Sequence, residues 1–195
     1  NTELKQQKMK NFEITVALII ASIFFSSCSA KIFYSPDAYS LAYEHEIISI
    51  IPPSVSIEAS KNVEANAMVE QQNTESVNFQ KAMYSFMLDR KMNGKFYQEI
   101  QDIEDTMIKL KRMGYPERQL TTSELCDELD VDALLISNYS LSKPMSKGAA
   151  IASLFLFGGS GATNEVIATL SLKDCKKNKL IWNYEEELSG GLGNQ

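Results

Sequence analysis

The stretch Thr-Thr-Ser-Glu-Leu-Cys-Asp-Glu-Leu-Asp-Val-Asp-Ala-Leu-Leu-Ile, residues 121–136, joins the start of a helix directly to a buried strand. Thr121 followed by Glu124 matches a capping box, in which each side chain satisfies a free backbone amide at the beginning of a helix. Residues 133–136 form a short apolar run, which is typical of a strand covered on both faces. A helix that leads straight into such a strand indicates a sheet with helices packed on it.

Upstream, the sequence alternates between strand and helix patterns. Residues 47–51 are rich in isoleucine and predict a buried strand, which Pro52 ends because proline cannot donate to a sheet. Residues 55–57 resume it as an extended piece. The polar residues 58–73 predict a solvated loop or the frayed start of a helix. An apolar stripe at three- and four-residue steps then predicts a helix over about residues 75–92.

A short strand and a second helix come next. Residues 95–100 can form the strand, and the inner stripe of the helix runs from Ile103 to Leu110. Gly114 can take the left-handed conformation that ends a helix, and Pro116 prevents its continuation. The carboxyl end of this helix is therefore well marked.

The carboxyl-terminal third changes to a two-residue period. Residues 166–173 alternate in polarity, and residues 180–187 do the same after a short polar turn, which predicts a β-hairpin with one face on a core. We therefore expect an α/β fold, a single domain over residues 46–188 with a mixed β-sheet, helices packed on it and a C-terminal β-hairpin. Residues 189–195 are expected to form a flexible tail.

The amino-terminal residues carry the pattern of a lipoprotein signal peptide. Lysines precede a twelve-residue apolar run, residues 14–25, which is too short to span a bilayer. Two small serines then precede Cys28, as a peptidase that cuts before a cysteine requires. The alternatives for the apolar run are a buried helix of the domain and an uncleaved anchor.

These features divide the amino-terminal part into two segments. We predict a signal peptide over residues 1–27, in which residues 1–8 are an upstream extension because Met9 can begin the peptide alone. The mature protein then begins at Cys28, whose covalent lipid, with palmitate among its acyl groups, serves as a membrane anchor. Residues 28–45 are expected to form a lipidated tether that contains a short helix.

Charge and length restrict the partners of the mature chain. Without residues 1–27 the chain keeps 19 − 3 = 16 basic and 25 − 2 = 23 acidic residues, a net charge of −7. This balance argues against a nucleic-acid partner and against a general attraction to anionic lipid headgroups. The covalent lipid is therefore expected to be the fixed attachment to the membrane.

Cysteine and histidine usage argues against metal binding and histidine-based catalysis. Cys126 and Cys175 could pair in an oxidising compartment, but Cys126 lies on a predicted helix where buried free thiols are common, so we expect both to stay free. His45 is the only histidine and is expected at the surface. We therefore expect no metal, no cofactor other than the lipid on Cys28, and no histidine-based catalytic site.

Residues 148–157 are unusually apolar for a connection between two strands. We predict that they contact a partner protein or dip into a membrane, because an apolar tip seeks protein or lipid. The alternative is a short helix buried against the sheet, and ten helical residues, about 15 Å long, cannot cross a bilayer. The predicted contact residues are Ala149, Ile151, Leu154, Phe155, Leu156 and Phe157.

Two surface features have open interpretations. Tyr34, Tyr39 and Tyr43 follow the lipid closely and either settle at a membrane interface, where amphipathic rings are favoured, or pack the tether onto the domain. The acidic residues 185–187 either bind a cation or form a charged strand end.

Three features resemble the small α/β domain of the TolB amino-terminal family, which includes the curli secretion lipoprotein CsgG and the lipoprotein activators of peptidoglycan synthases. A first strand ends in proline at Pro52, residues 125–134 look like the family's Leu-Gly-Val-Asp-Ala pattern, and the hairpin through Trp182 is similar to its closing strand pair. Asp130 stands where the family usually has glycine. The resemblance covers roughly residues 46–188 and implies a role in assembly or binding, without catalytic residues.

Taken with the resemblance, the sequence predicts a non-enzymatic lipoprotein that binds another protein or itself in the bacterial envelope. The residue after Cys28 is Ser29, which does not resemble the aspartate signal for inner-membrane retention, so the outer membrane is favoured, on its periplasmic side. One alternative function is a ring-forming secretion-channel subunit like CsgG. Another is an enzyme that uses carboxylates alone, which requires a deep pocket with two convergent acids.

Overall fold

A computed structural model describes residues 30–58, 65–141 and 165–189. The predicted signal peptide, Cys28, the apolar segment 148–157 and the last six residues lie outside these ranges. In chain order the elements are β1 (Lys31–Tyr34), α1 (Ala38–Glu44), β2 (Ile47–Ile50), β3 (Ser54–Ile57), α2 (Ala65–Met92), β4 (Glu99–Ile100), α3 (Ile103–Arg112), α4 (Thr122–Leu129), β5 (Ala133–Leu141), β6 (Glu165–Asp174) and β7 (Lys179–Ser189).

The strands of the described residues form one mixed sheet. Its order is β1-β7-β6-β5-β2-β4, and β3 also lies beside β5. Pairing is parallel between β2 and β4, between β2 and β5, and between β3 and β5. It is antiparallel from β5 through β6 and β7 to β1. The predicted fold class, a single α/β domain with a mixed sheet and a C-terminal hairpin, is confirmed.

β2 and β3 are two halves of one strand that is broken at Pro52 and Pro53. Both halves pair with β5, β2 with residues 133–135 and β3 with residues 138–141. Proline has no amide hydrogen, so the ladder of hydrogen bonds cannot continue through the break. The predicted stop after residue 51 and the predicted resumption of the strand are both observed.

Alternate residues of β5 face two different layers of helices. Leu135 and Tyr139 pack with Phe79 and Met83 of α2, and the Phe79 and Tyr139 rings stack with their centroids 4.0 Å apart. Leu134 belongs instead to a second core, to which α3 and α4 contribute Leu110, Leu125 and Leu129. Because successive side chains of a strand point to opposite faces, the helices cover both faces of the sheet.

α2 is longer at its amino end than the sequence predicted. It begins at Ala65, about ten residues before the expected start, and its buried residues begin only at Glu75. The first ten residues have no apolar stripe because most of them face solvent, so periodicity could not reveal them. The predicted strand over residues 95–100 is in turn reduced to the two residues of β4.

β1 and α1 lie in the segment for which the sequence predicts a tether with a short helix. Residues 31–34 pair antiparallel with residues 182–185 of β7. Ala38 and Leu41 of α1 are buried against Ile181. The sheet and its helical cover therefore include residues from Lys31 onward.

Cys126 and Cys175 form a disulfide, so the prediction of two free thiols was wrong. Cys126 lies on the buried face of α4, and Cys175 directly follows β6. Pairing of β5 with β6 places Asp174 opposite Ala133, and the Cys175 amide donates to Asp132 O at 2.9 Å. Strand pairing thus brings the turn after β6 to the base of α4, which sequence spacing alone could not indicate.

The ends of α3 and α4 follow the predicted signals. Gly114 has a φ of +80° after α3, and the capping box of Thr121 and Glu124 is present at the start of α4. α4 ends at Asp130, which has a φ of +55° and donates its amide to Cys126 O at 2.9 Å. Glycine adopts this left-handed conformation without the steric penalty that a side chain brings.

Replacing Asp130 with glycine is expected to raise the free energy of unfolding by about 0.5–1 kcal/mol, because glycine adopts this conformation without a steric penalty. Urea unfolding of Asp130→Gly and the parent chain measures the difference. Glu128→Gly, on the exposed side of the same helix, is the control and should lower stability by about 0.5 kcal/mol. A loss of stability in Asp130→Gly would contradict this explanation.

Candidate functional site: a groove and an aromatic surface

An apolar groove of about 780 Å³ lies where α2 and α3 border the break between β2 and β3. Side chains exposed along it include Val69 and Val77 of α2 and Met107 and Ile108 of α3. The remaining lining residues are Pro52, Pro53, Ser54, Val55, Gln72, Asn73, Ser76, Leu110, Lys111, Tyr115, Pro116 and Glu117.

Two side chains of α2 hold the helix against the broken strand. Ser76 Oγ donates to Pro53 O at 2.6 Å, and Gln80 Nε2 donates to Ile50 O at 2.8 Å. Gln80 is fully buried, so its amide satisfies a carbonyl that would otherwise be left without a partner in the core. The break therefore serves as a docking point for α2, and the floor of the groove is fixed by hydrogen bonds.

The lining of the groove is mostly apolar and has few ionisable groups. Its ionisable lining groups are Lys111, Glu117 and Tyr115, and burial raises the pKa of Tyr115 so that its hydroxyl stays protonated. A carboxylate-only enzyme requires two convergent acids, whereas this groove has one. An apolar lining with few polar groups is typical of sites for apolar ligands or protein segments.

A second feature, the aromatic surface, consists of Tyr34, Tyr39, Tyr43 and Tyr97. Each of these side chains is more than half exposed, and Tyr39 reaches 80%. Tyr34 stacks on Tyr39 with centroids 6.1 Å apart, and Tyr43 meets Tyr97 edge to face at 5.8 Å. Phe33 is also half exposed but points to the opposite face of β1 from Tyr34.

The tyrosines of α1 point outward because the other face of the helix is buried. Leu41 is almost fully enclosed, and Gln98 Nε2 donates to Ala42 O at 2.8 Å. The Tyr97 hydroxyl donates to Tyr43 O. The packing of this segment onto the domain is therefore done mainly by small and aliphatic side chains, which leaves the tyrosine rings exposed.

Asp37 ties the start of α1 to the turn between β6 and β7. Its Oδ1 accepts hydrogen bonds from Lys179 Nζ at 2.5 Å and from Ser35 Oγ at 2.9 Å, and Lys177 Nζ lies 3.8 Å from Oδ2. The hydrogen bond from Lys179 is the main reason that the pKa of Asp37 is lowered to about 2.

Replacing Lys179 with methionine is expected to raise the pKa of Asp37 toward 3.8. The pKa of Asp37 is lower in the folded chain than in the unfolded chain. The contact with Lys179 therefore stabilises the fold above about pH 4, and this stabilisation is lost as the pH falls toward 2. A carboxyl carbon NMR titration of Lys179→Met measures the shift, and Lys81→Met on exposed α2 is the control. An unchanged Asp37 midpoint in Lys179→Met would contradict the assignment.

His45 is buried, so the prediction of a surface histidine was wrong. His45 Nε2 donates to Asp174 Oδ1 at 2.9 Å, and both side chains are 3% exposed. Asp174 Oδ2 also accepts the backbone amide of Lys177 at 2.5 Å. His45 Nδ1 is buried and has no hydrogen-bond partner among the residues that the structure describes. The pair lies outside the groove and joins the end of α1 to the end of β6, which indicates a structural role.

The other predicted site residues are not brought together in the described part of the chain. Cys28 and the contact residues between Ala149 and Phe157 lie outside the described ranges. Glu185 pairs with Lys31 at 2.9 Å across the sheet edge. Among the residues that the structure describes, no group of three or more potential metal ligands occurs.

Within residues 30–58, 65–141 and 165–189, no helix combines the length and apolarity needed to cross a bilayer.

Comparison with solved structures finds similar folds at low identity. The LpoB C-terminal domain from Salmonella enterica is 14% identical over 74% of this chain and 82% of its own, with a TM-score of 0.38. Lipoprotein GNA1162 from Neisseria meningitidis is 13% identical over 76% and 84%, with a TM-score of 0.41. The PelC dodecamer from Paraburkholderia phytofirmans is 10% identical over 86% of each chain, with a TM-score of 0.34.

These similarities carry no argument about family or function. Their identities are under 25%, and their TM-scores are under 0.5. No protein-family model matches the chain, and no curated protein matches it. The resemblance to the TolB amino-terminal family is therefore not confirmed. The class that the fold defines is a single α/β domain with a mixed sheet, and the groove lies at its strand break.

Proposed function

We propose that this chain is a non-enzymatic, lipid-anchored binding protein of the bacterial envelope, which contacts a protein partner through the groove. Cys28 carries the lipid, and the outer membrane, on its periplasmic side, is the favoured location. The observation that carries the proposal is the apolar groove beside the strand break. The Cys126–Cys175 disulfide supports it, because disulfides persist in oxidising compartments such as the periplasm.

The geometry of the groove suits an extended segment of a partner protein. Val69 is 54% exposed and Ile108 is 51% exposed, so apolar surface is available on both walls. In the described chain β3 pairs only with β5, which leaves its outer edge open to a further strand. Strand addition beside apolar pockets is a common mode of peptide recognition. The partner would bury apolar side chains between α2 and α3.

Capture in cells tests this proposal. Val69→Asp combined with Ile108→Asp places two charges in the groove and is expected to abolish crosslinking to the partner. Met92→Asp is the matched control, because Met92 is an exposed apolar residue at the other end of α2. Melting temperatures establish that both variants fold. Equal capture by the groove variant and by wild type would contradict the proposed contact.

The apolar segment between Ala149 and Phe157 stays a second predicted contact. Replacing its apolar residues with polar ones, with the groove intact, measures its contribution in the same assay. No observation on the described residues favours the ring-forming channel or the carboxylate-only enzyme. Size measurement after detergent extraction tests the channel function. A large ring would support a channel, and a monomer or dimer would exclude it.

A further inference from the structure

We infer that the aromatic surface lies on the phospholipid membrane that holds the anchor, so that this membrane orients the domain as well as retaining it. The inference rests on the proposed lipid at Cys28. It concerns a different face from the groove, which is formed by α2, α3 and the strand break. It assigns α1 and β1 as the membrane-facing elements.

The sequence distance from Cys28 restricts where the anchor can be. Cys28 lies three residues before β1 begins at Lys31 and six before Tyr34. A fully extended chain covers at most about 3.5 Å per residue, so Cys28 is within about 20 Å of Tyr34. β1 is fixed to β7 and leads into α1, so there is no long flexible tether between the anchor and the aromatic surface. A lipid at Cys28 therefore brings this surface within reach of the bilayer.

The side chains of this surface suit the headgroup region. Tyrosine has an apolar ring and a polar hydroxyl, which together favour the boundary between hydrocarbon and water. The four rings are all tyrosines, and Tyr34, Tyr39 and Tyr43 follow the anchor closely in sequence. Tyrosine is enriched at protein interfaces as well as at membrane interfaces, so composition agrees with a lipid surface without selecting it. The short distance to Cys28 is what favours the membrane.

Lysines near α1 bring positive charge to this region. Lys31, Lys176, Lys177 and Lys179 form ion pairs with Asp37, Glu44 and Glu185, which lie in α1, in β7 or just before α1. Ammonium groups beside aromatic rings are typical anchors at a membrane interface. The region therefore carries ammonium groups as well as carboxylates.

A fluorescence quenching experiment on the full lipidated chain tests the inference. Ser40→Cys places a single free thiol beside Tyr39, since Cys126 and Cys175 are bonded and Cys28 carries the lipid. Glu70→Cys is the matched control, because Glu70 is exposed near the amino end of α2. It lies about 33 Å along the helix from Met92, and Met92 is the end of α2 that leads toward Tyr97. Each thiol carries a nitrobenzoxadiazole dye, and the chain is inserted into vesicles of phosphatidylethanolamine and phosphatidylglycerol with headgroup spin labels.

We expect quenching of the dye at residue 40 and none at residue 70. Adding Tyr39→Ser and Tyr43→Ser is expected to remove the quenching at residue 40 while the protein still floats with the vesicles. Equal quenching at both positions, or quenching that survives these substitutions, would overturn the inference. A crosslink from residue 40 to a second copy or to another protein, without quenching, would also overturn it.

Vesicle flotation separates this result from a failure of the anchor. If wild type floats and Cys28→Ala does not, the lipid is present. The quenching result then tests only the orientation of the domain on the membrane. If both chains remain unbound, the proposed anchor is absent and the inference fails with it. Capture of a partner through the groove is measured separately in cells, so it can succeed or fail on its own.

Discussion

Replacing Cys126 and Cys175 with alanine is expected to lower the free energy of unfolding by about 4 kcal/mol, because the disulfide closes a long loop. The two cysteines are 49 residues apart in sequence, so the cross-link removes many conformations from the unfolded chain. The disulfide also connects α4 to the turn after β6, and this turn lies beside the buried His45. We expect the urea midpoint to fall accordingly.

Reduction is the natural control for the disulfide variant. Wild type in the presence of a reductant should unfold at the same urea concentration as the double alanine variant, and the variant itself should not respond to reductant. If reductant leaves the wild-type midpoint unchanged, the cysteines are free in solution and the structural assignment fails.

Replacing Asp174 with alanine is expected to lower the free energy of unfolding by about 3–5 kcal/mol. The substitution leaves His45 buried without its partner and removes the acceptor of the Lys177 amide. Removing one member of a buried pair costs more than the pair contributes, because the remaining polar group cannot be solvated. Urea unfolding at neutral pH measures the change.

Two variants test whether the burial of His45 and Asp174 causes the loss of stability in Asp174→Ala. His45→Leu combined with Asp174→Leu should recover part of the lost stability, since two apolar side chains leave only the Lys177 amide without its acceptor. Asp127→Ala removes an exposed acid from α4 and should change stability by less than about 0.5 kcal/mol. If Asp174→Ala proves as mild as Asp127→Ala, the pair is solvated and the argument is wrong.

Features that depend on local patterns could be predicted from the sequence. The capping box at Thr121, the stop after residue 51 and the alternating hairpin at residues 166–187 each depend on neighbouring residues. Together they define the α/β class, because strand and helix patterns follow each other in a fixed order.

Features that depend on distant contacts could not be predicted. His45 is separated from Asp174 by 129 residues, and only the pairing of β6 with β5 brings the turn after β6 to the start of β2. The disulfide depends on the same pairing. The groove is lined by residues from Pro52 to Glu117, of which the proline break was the one local signal. The sequence left the exposed first part of α2 open between a loop and a helix start, because this part buries almost nothing and has no apolar stripe.

Both the proposed function and the orientation on the membrane depend on the lipid at Cys28. The most direct test is the intact mass and amino-terminal peptide of the protein extracted from membranes of its own cells. We predict a chain that begins at Cys28 and carries a lipid on that residue. An unmodified Cys28, or a chain that still retains residues 1–27, would contradict the account.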